Sequence, residues 1–262
     1  MTTPILLTGG TGTLGRLLVP RLRAAGLPVR ILSRAGHPAA DGVEYVTADL
    51  ATGAGVTEAE ACARTILHAA GSTTGDEIKA RHLVRAAAGA THLIHISVVG
   101  ADRVPVVSGI DRAMFGYYAS KRGAEVVVSE SGLPWTTLRA TQFHELTLTV
   151  ARQMAKMPVI PVPAGVRFQP VDGGDVADRL VELALGAPAG LVPDIAGPRI
   201  YGMDELIRSY LRARGQRRLL VPVRLGGRAY RAIRDGAHLA PDHAVGRRTW
   251  EEFLAAQTLT LA

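Results

Sequence analysis

Tyr117 and Lys121 stand four residues apart in Tyr117-Tyr118-Ala119-Ser120-Lys121, a spacing that places a phenol and an ammonium on one face of a helix. An ammonium beside a phenol favours the phenolate, so the pair predicts a tyrosine of lowered pKa that protonates an oxyanion near neutral pH. The chain has three lysines, at 79, 121 and 156, against 27 arginines, and one of the three occupies this position. Taken alone, the pair would read as an aromatic and a lysine on an ordinary amphipathic helix.

A second chemical signal lies at the start of the chain. Ile5-Leu6-Leu7-Thr8 reads as an apolar strand, and it runs into Gly9-Gly10-Thr11-Gly12-Thr13-Leu14-Gly15, a glycine-punctuated turn that opens a helix. Gly9 allows the sharp exit from the strand, Gly12 lets backbone N–H groups approach a diphosphate, and Gly15 lets the helix pack on the strand. Thr8, Thr13 and Leu14 complete the turn. The diphosphate of a dinucleotide is expected at the helix N-terminus, where orphan N–H groups and the macrodipole favour negative charge.

The next strand, Pro28 to Leu32, ends in Ser33-Arg34, where a site for NAD would place an acidic residue against the ribose 2′-OH. A hydroxyl followed by a guanidinium suits a 2′-phosphate, so NADPH is the expected cofactor; the alternative is one more solvated arginine. Asp49, followed by Leu50 after the third strand, is the candidate for the adenine amino group or else a helix N-cap. In His68-Ala69-Ala70-Gly71 the small residues Ala69, Ala70 and Gly71 let a cofactor lie close to the backbone, and His68 reads as a strand-end histidine with a satisfied ring.

Strand patterns at 3–8, 28–33, 43–47, 65–70, 91–97 and 134–140 alternate with helical patterns near 14–25, 75–89 and 114–131. That alternation predicts α/β architecture, a Rossmann-type doubly wound parallel sheet. Beyond Arg139 the rhythm changes: a proline-rich loop over 157–163, a helix over 176–185, a short strand over 192–195, and helices over 203–214 and 247–257. Residues 1–142 are expected to form the NAD(P)-binding core. Residues 143–262 are expected to return partly to the sheet and to build a small C-terminal substrate-binding lid.

At 262 residues and 47% apolar content the chain can bury a large core. It shows no basic leader and no apolar run of membrane-spanning length, and Cys62 is a lone cysteine, so a cytoplasmic location without an internal disulfide is expected. The net charge is +7, and six of it is carried by residues 199–262, which hold 12 Arg against 6 acidic residues. No helix-turn-helix pattern or aromatic interleaving accompanies them, so direct nucleic-acid binding is not expected. No metal-ligand spacing is present.

Together these pieces, with His95-Ile96-Ser97-Val98-Val99-Gly100 and Gly132-Leu133-Pro134-Trp135-Thr136-Thr137-Leu138-Arg139, resemble the short-chain dehydrogenase/reductase superfamily, in its atypical, NmrA-like NAD(P)-binding branch. The resemblance covers the first 140 residues in the family's order and is loose beyond them. It implies hydride transfer from NADPH to a small cyclic or aromatic carbonyl or quinone. Tyr117 would be the general acid, Lys121 would hold the nicotinamide ribose and tune the tyrosine, and Ser97 would orient the substrate oxygen. Many relatives carry that hydroxyl one position later, where this chain has Val98. Gln142, Phe143 and His144 follow the sixth strand and are the candidate substrate contacts, with His144 able to act as an acid or to cap a helix. The branch also contains NADP-binding redox sensors without turnover and redox-neutral epimerase-like enzymes, and both stand as alternatives.

Overall fold

The structure, a computed structural model, describes residues 3–38, 42–60 and 63–259, so Cys62 lies outside the described residues. The elements begin with β1 (Ile5–Thr8), α1 (Thr13–Ala24), β2 (Val29–Ser33), β3 (Val43–Thr47), α2 (Val56–Glu60), β4 (Thr65–His68) and α3 (Asp76–Ala86). They continue with β5 (His92–Val98), α4 (Gly109–Ser129), β6 (Trp135–Ala140), α5 (His144–Met154), β7 (Val159–Pro163), β8 (Arg167–Phe168) and α6 (Gly173–Leu185). The last are β9 (Gly190–Leu191), β10 (Tyr201–Gly202), α7 (Met203–Ala213), β11 (Leu219–Val223), α8 (Arg228–Arg234) and α9 (Trp250–Leu259).

Seven strands form one sheet in the order β3-β2-β1-β4-β5-β6-β9. Ile5 lies opposite Val29 on one side and Thr65 on the other, both in parallel register. The expected Rossmann-type parallel sheet is therefore present, and the strand order reverses beside β1, the switch point at which dinucleotides bind in such sheets. Ile5, Leu6, Leu7, Ile66, Leu67 and the whole of β5 are buried, as befits strands covered on both faces. Leu6, Ile66 and Leu93 share one core with Ala80 and Leu83 of α3 and Ala124 and Val128 of α4. Side chains along a strand alternate faces, so Thr8, His68, His95 and Ser97 project to that same side.

The chain divides into two compact units. One comprises the residues up to Ser97 with Gly116–Arg139 and Val176–Pro193, and the other comprises Val98–Phe115, Ala140–Asp175 and the residues from Asp194 onward. In the second unit Trp250, Phe253, Tyr201, Leu206, Ile207 and Leu148 build a separate core.

Three expectations are corrected. The proline-rich stretch 157–163 contains a strand: β7 pairs in parallel with β11, Val221 standing opposite Pro161. Ile160 and Val162 are buried while Val159 and Pro161 face outward, so prolines that lack a donor sit on an edge where none is needed. The short strand expected at 192–195 ends earlier, as β9 at Leu191, and Ile195 makes only an isolated bridge to Ala140. Helix α4 begins at Gly109 rather than 114. Its start is a reciprocal cap, in which Ser108 Oγ accepts from Asp111 N–H at 3.0 Å and Asp111 accepts from Ser108 N–H at 3.1 Å.

Candidate functional site

The glycines of the first turn divide into two kinds. Gly9 has φ +73°, and a Cβ on it would stand 2.7 Å from the Ala69 carbonyl; on Gly15 a Cβ would stand 2.2 Å from Gly9 O. Both are required by the packing of β1, α1 and the exit of β4. Gly12 differs, because a Cβ there would meet nothing nearer than Gly9 O at 3.2 Å, and Thr11, Gly12 and Thr13 are exposed. Gly12 also occupies the N-cap of α1 without any side-chain cap, leaving the first-turn N–H groups without intrahelical partners. An open glycine face before uncapped N–H donors fits a diphosphate. Leu14 is buried in the core, so its side chain plays no part there.

At the end of β2, Ser33 is buried and its Oγ accepts from Ala35 N–H at 3.3 Å, while Arg34 is exposed and makes no ion pair among the described residues. Asp49 does not cap a helix, since α2 begins at Val56. Its Oδ1 accepts from Ala51 N–H at 2.9 Å in a local turn. Leu50 is buried in the core, and its carbonyl accepts from the His82 ring at 2.8 Å.

Thr8 Oγ1 lies 2.7 Å from His68 Nδ1 and accepts from Ala70 N–H at 3.2 Å, tying β1 to the exit of β4. His68 stacks on His95 with ring centroids 5.2 Å apart. Burial, followed by the nearby Lys121 charge, pushes His68 down to about 3. Burial likewise holds His95 well below the usual histidine range. Both rings are neutral at physiological pH. Ser97 Oγ is buried with no hydrogen-bond partner among the described residues.

Tyr117 and Lys121 lie on α4 as the spacing requires, with Lys121 Nζ 5.9 Å from the Tyr117 ring centre. The structure adds a residue that no local spacing announces. Asp76, the first residue of α3, places Oδ2 3.0 Å from Lys121 Nζ, and both side chains are buried. Burial pushes the Asp76 carboxyl up, but the charges and hydrogen bonds of Lys121 and Lys79 outweigh it and hold the group below the ordinary carboxylate range. The expected lowering of the tyrosine pKa is therefore corrected. Tyr117 exposes 36% of its surface, yet burial about its hydroxyl and then the Asp76 charge push the phenol above its ordinary value. Gly71, read as a place for cofactor, also makes room for the ammonium, since a Cβ there would stand 2.7 Å from Lys121 Nζ.

Gln142, Phe143 and His144 belong to the second unit. Both amide atoms of Gln142 are buried without a partner among the described residues. Phe143 bridges to Val171. His144 is fully buried, donates from Nε2 to Pro170 O at 3.0 Å, and packs edge-on against Trp250 and Phe253. Burial pushes it down to about 4, so it is neutral. Among the described residues no group of three or more His, Cys, Asp or Glu is placed to hold a metal, and no helix is long and apolar enough to cross a membrane.

A family model described as NAD(P)H-binding matches residues 9–184, a span that contains the glycine turn, Arg34, Asp76 and the Tyr117–Lys121 pair. The chain belongs to this NAD(P)H-binding family. The chain is also similar to (4-alkanoyl-5-oxo-2,5-dihydrofuran-3-yl)methyl phosphate reductase of Streptomyces griseus, 29% identical over 217 residues, which cover 81% of this chain and 74% of that protein. An NADPH-dependent quinone oxidoreductase from Escherichia coli, solved with NADPH, superimposes with a TM-score of 0.78 at 19% identity, covering 97% of this chain and 99% of its own. A nucleoside-diphosphate-sugar epimerase from Staphylococcus aureus gives a TM-score of 0.76 at 19% identity over 96% of this chain and 99% of its own. These two are likenesses of fold.

Proposed function

We propose that this family member is an NADPH-dependent oxidoreductase that reduces a small cyclic or aromatic carbonyl or quinone. The observation that carries the reading is the Tyr117 phenol on α4 beside a paired, buried Lys121. A tyrosine phenol is protonated near neutral pH, which is the form needed to deliver a proton to oxygen. When bound, reduced nicotinamide supplies two electrons as hydride to the electron-poor carbon of the substrate. Tyr117 then donates its proton to the substrate oxygen, and solvent returns one to the phenolate.

The remaining residues serve binding. The N–H groups of the first turn of α1, with Gly9, Gly12, Thr13 and Gly15 as the glycine turn, take the diphosphate, while Ser33 and Arg34 take the 2′-phosphate and so favour NADPH over NADH. Asp49 retains a carboxylate oxygen for the adenine amino group. Ser97 presents an unused hydroxyl on the face that carries His68. The Streptomyces griseus relative is named for a phosphate ester bearing a five-membered unsaturated oxo ring, which supports a cyclic, activated carbonyl as substrate class.

The test is continuous NADPH oxidation against a panel of quinones, cyclic ketones and unsaturated lactones, with and without a phosphate ester. Turnover of one of these classes with NADPH preferred is the expected result. Tight NADPH binding with no turnover across the panel would replace the reading with that of a redox sensor.

A further inference from the structure

We propose that Asp76 is the positioning residue of the Tyr117–Lys121 pair, fixing the Lys121 ammonium beside Gly71 and offsetting its charge so that Tyr117 remains a phenol rather than a phenolate. This rests on the reading of Tyr117 as the proton donor.

Two neighbouring residues of α4 grip Asp76. Its backbone N–H donates to Ser120 Oγ at 3.0 Å, and its Oδ2 meets Lys121 Nζ at 3.0 Å. The other carboxylate oxygen accepts from Ser72 N–H at 2.9 Å and lies 3.2 Å from Lys79 Nζ. The first residue of α3 is thereby docked on the α4 turn that follows Tyr117. Position 71 reports the same constraint independently, because a Cβ there would stand 2.7 Å from Lys121 Nζ and 3.4 Å from Asp76 Oδ2. A methyl group would push the ammonium off the carboxylate.

The electrostatic consequence follows from which charges face the phenol. Asp76 approaches it from α3 and Tyr118 and Lys121 from α4 itself, while Lys79 on α3 pairs with Asp76 and the rings of His68 on β4 and His95 on β5 feel the Lys121 charge. Both histidines are neutral and Tyr118 is uncharged, so Asp76 is the sole anion of the group and cancels one of its two ammonium charges. Without it, Tyr117 would face the Lys121 ammonium with no carboxylate to offset it and ionise more readily. In this arrangement the lysine secures geometry, and the aspartate keeps the acid in its proton-bearing form.

The test reads Tyr117 ionisation as the tyrosinate absorbance that Tyr117→Phe removes, recorded without substrate or turnover. Wild type should show no such rise below about pH 10. Asp76→Asn, which keeps the shape and removes the charge, should bring the rise down by at least about one pH unit, and Asp76→Glu should restore wild-type behaviour. Adding Lys121→Met to Asp76→Asn should abolish the rise again. Gly71→Ala, which leaves both helices untouched, should produce a smaller shift in the same direction and serves if Asp76→Asn does not fold. A folded Asp76→Asn protein titrating like wild type, a double variant that keeps the rise, or a Gly71→Ala protein with no shift would each overturn the assignment. An inactive protein that shows the Asp76→Asn shift would remove the proposed function and leave this assignment standing. An active protein without the shift would do the reverse.

Discussion

Arg139 and Glu125 form a buried two-point fork, with Nε 2.7 Å from Oε1 and Nη2 2.8 Å from Oε2. Arg139 lies on β6, and Glu125 lies on α4 one turn beyond Lys121, so Tyr117, Lys121 and Glu125 follow one another at four-residue intervals along a single helix face. The fork sets that face against the sheet.

Removing Glu125 takes both fork contacts from a buried guanidinium. Glu125→Ala is expected to cost about 3–5 kcal/mol of stability, the range for a buried pair from which one member is removed. Denaturant unfolding checks the value, and Glu125→Leu combined with Arg139→Leu should recover a good part of the loss.

Gly12 and Gly15 should separate binding from folding. Gly12→Ala fills open space before the α1 N–H groups and should weaken NADPH at least about tenfold, roughly 1.4 kcal/mol, in a protein whose circular dichroism is unchanged. Gly15→Ala drives a methyl to 2.2 Å from Gly9 O and should abolish folding. A Gly12→Ala protein that binds NADPH normally would contradict the placement of the diphosphate.

Arg34→Ala is expected to weaken NADPH by about 1.5–3 kcal/mol, the range for a charge-assisted contact, and to leave NADH unchanged. Calorimetric titration of both nucleotides decides it; equal losses would assign Arg34 a structural role.

Tyr117→Phe keeps the ring and removes the hydroxyl. On a verified substrate kcat should fall on the order of 10²- to 10⁴-fold while NADPH affinity holds. An unchanged kcat would mean that solvent protonates the product.

Glu60 gives a pH signature remote from this chemistry. Both its carboxylate oxygens are buried without a partner among the described residues, and burial pushes the group from 4.5 up to about 8. The folded state therefore holds a proton that the unfolded state releases. That contribution to stability is complete below about pH 4.5 and is lost as pH rises through about 8. Melting temperatures recorded across this window should decline, and Glu60→Gln should flatten the decline.

What was legible in the sequence was local. The glycine turn and the Tyr117–Lys121 spacing are each contained within a few residues, and the βαβ alternation emerges from strand and helix periods. What stayed hidden depends on partners far along the chain. Asp76 reads from sequence as an acidic residue opening a helix, and nothing near it announces Lys121. The spacing of Tyr117 and Lys121 displays the ammonium and conceals the carboxylate, which is why it predicts the wrong direction for the phenol. The prolines of β7 hide a strand whose partner, β11, lies well downstream. The start of α4 was readable in principle, since Ser108 and Asp111 have the spacing of a reciprocal cap.

The order in which the chain supplies its two units sets how this protein can be cut and recombined. Passage from one unit to the other occurs after Ser97, Phe115, Arg139, Asp175 and Pro193. A gene fragment ended after residue 142 would lack β9 and the β6 pairing at Thr136 and Thr137 that β9 provides. Exchanging one unit for that of a relative therefore takes five junctions instead of one, two of them within α4 and α6. Neither unit is therefore a contiguous cassette that a single exchange of sequence could replace.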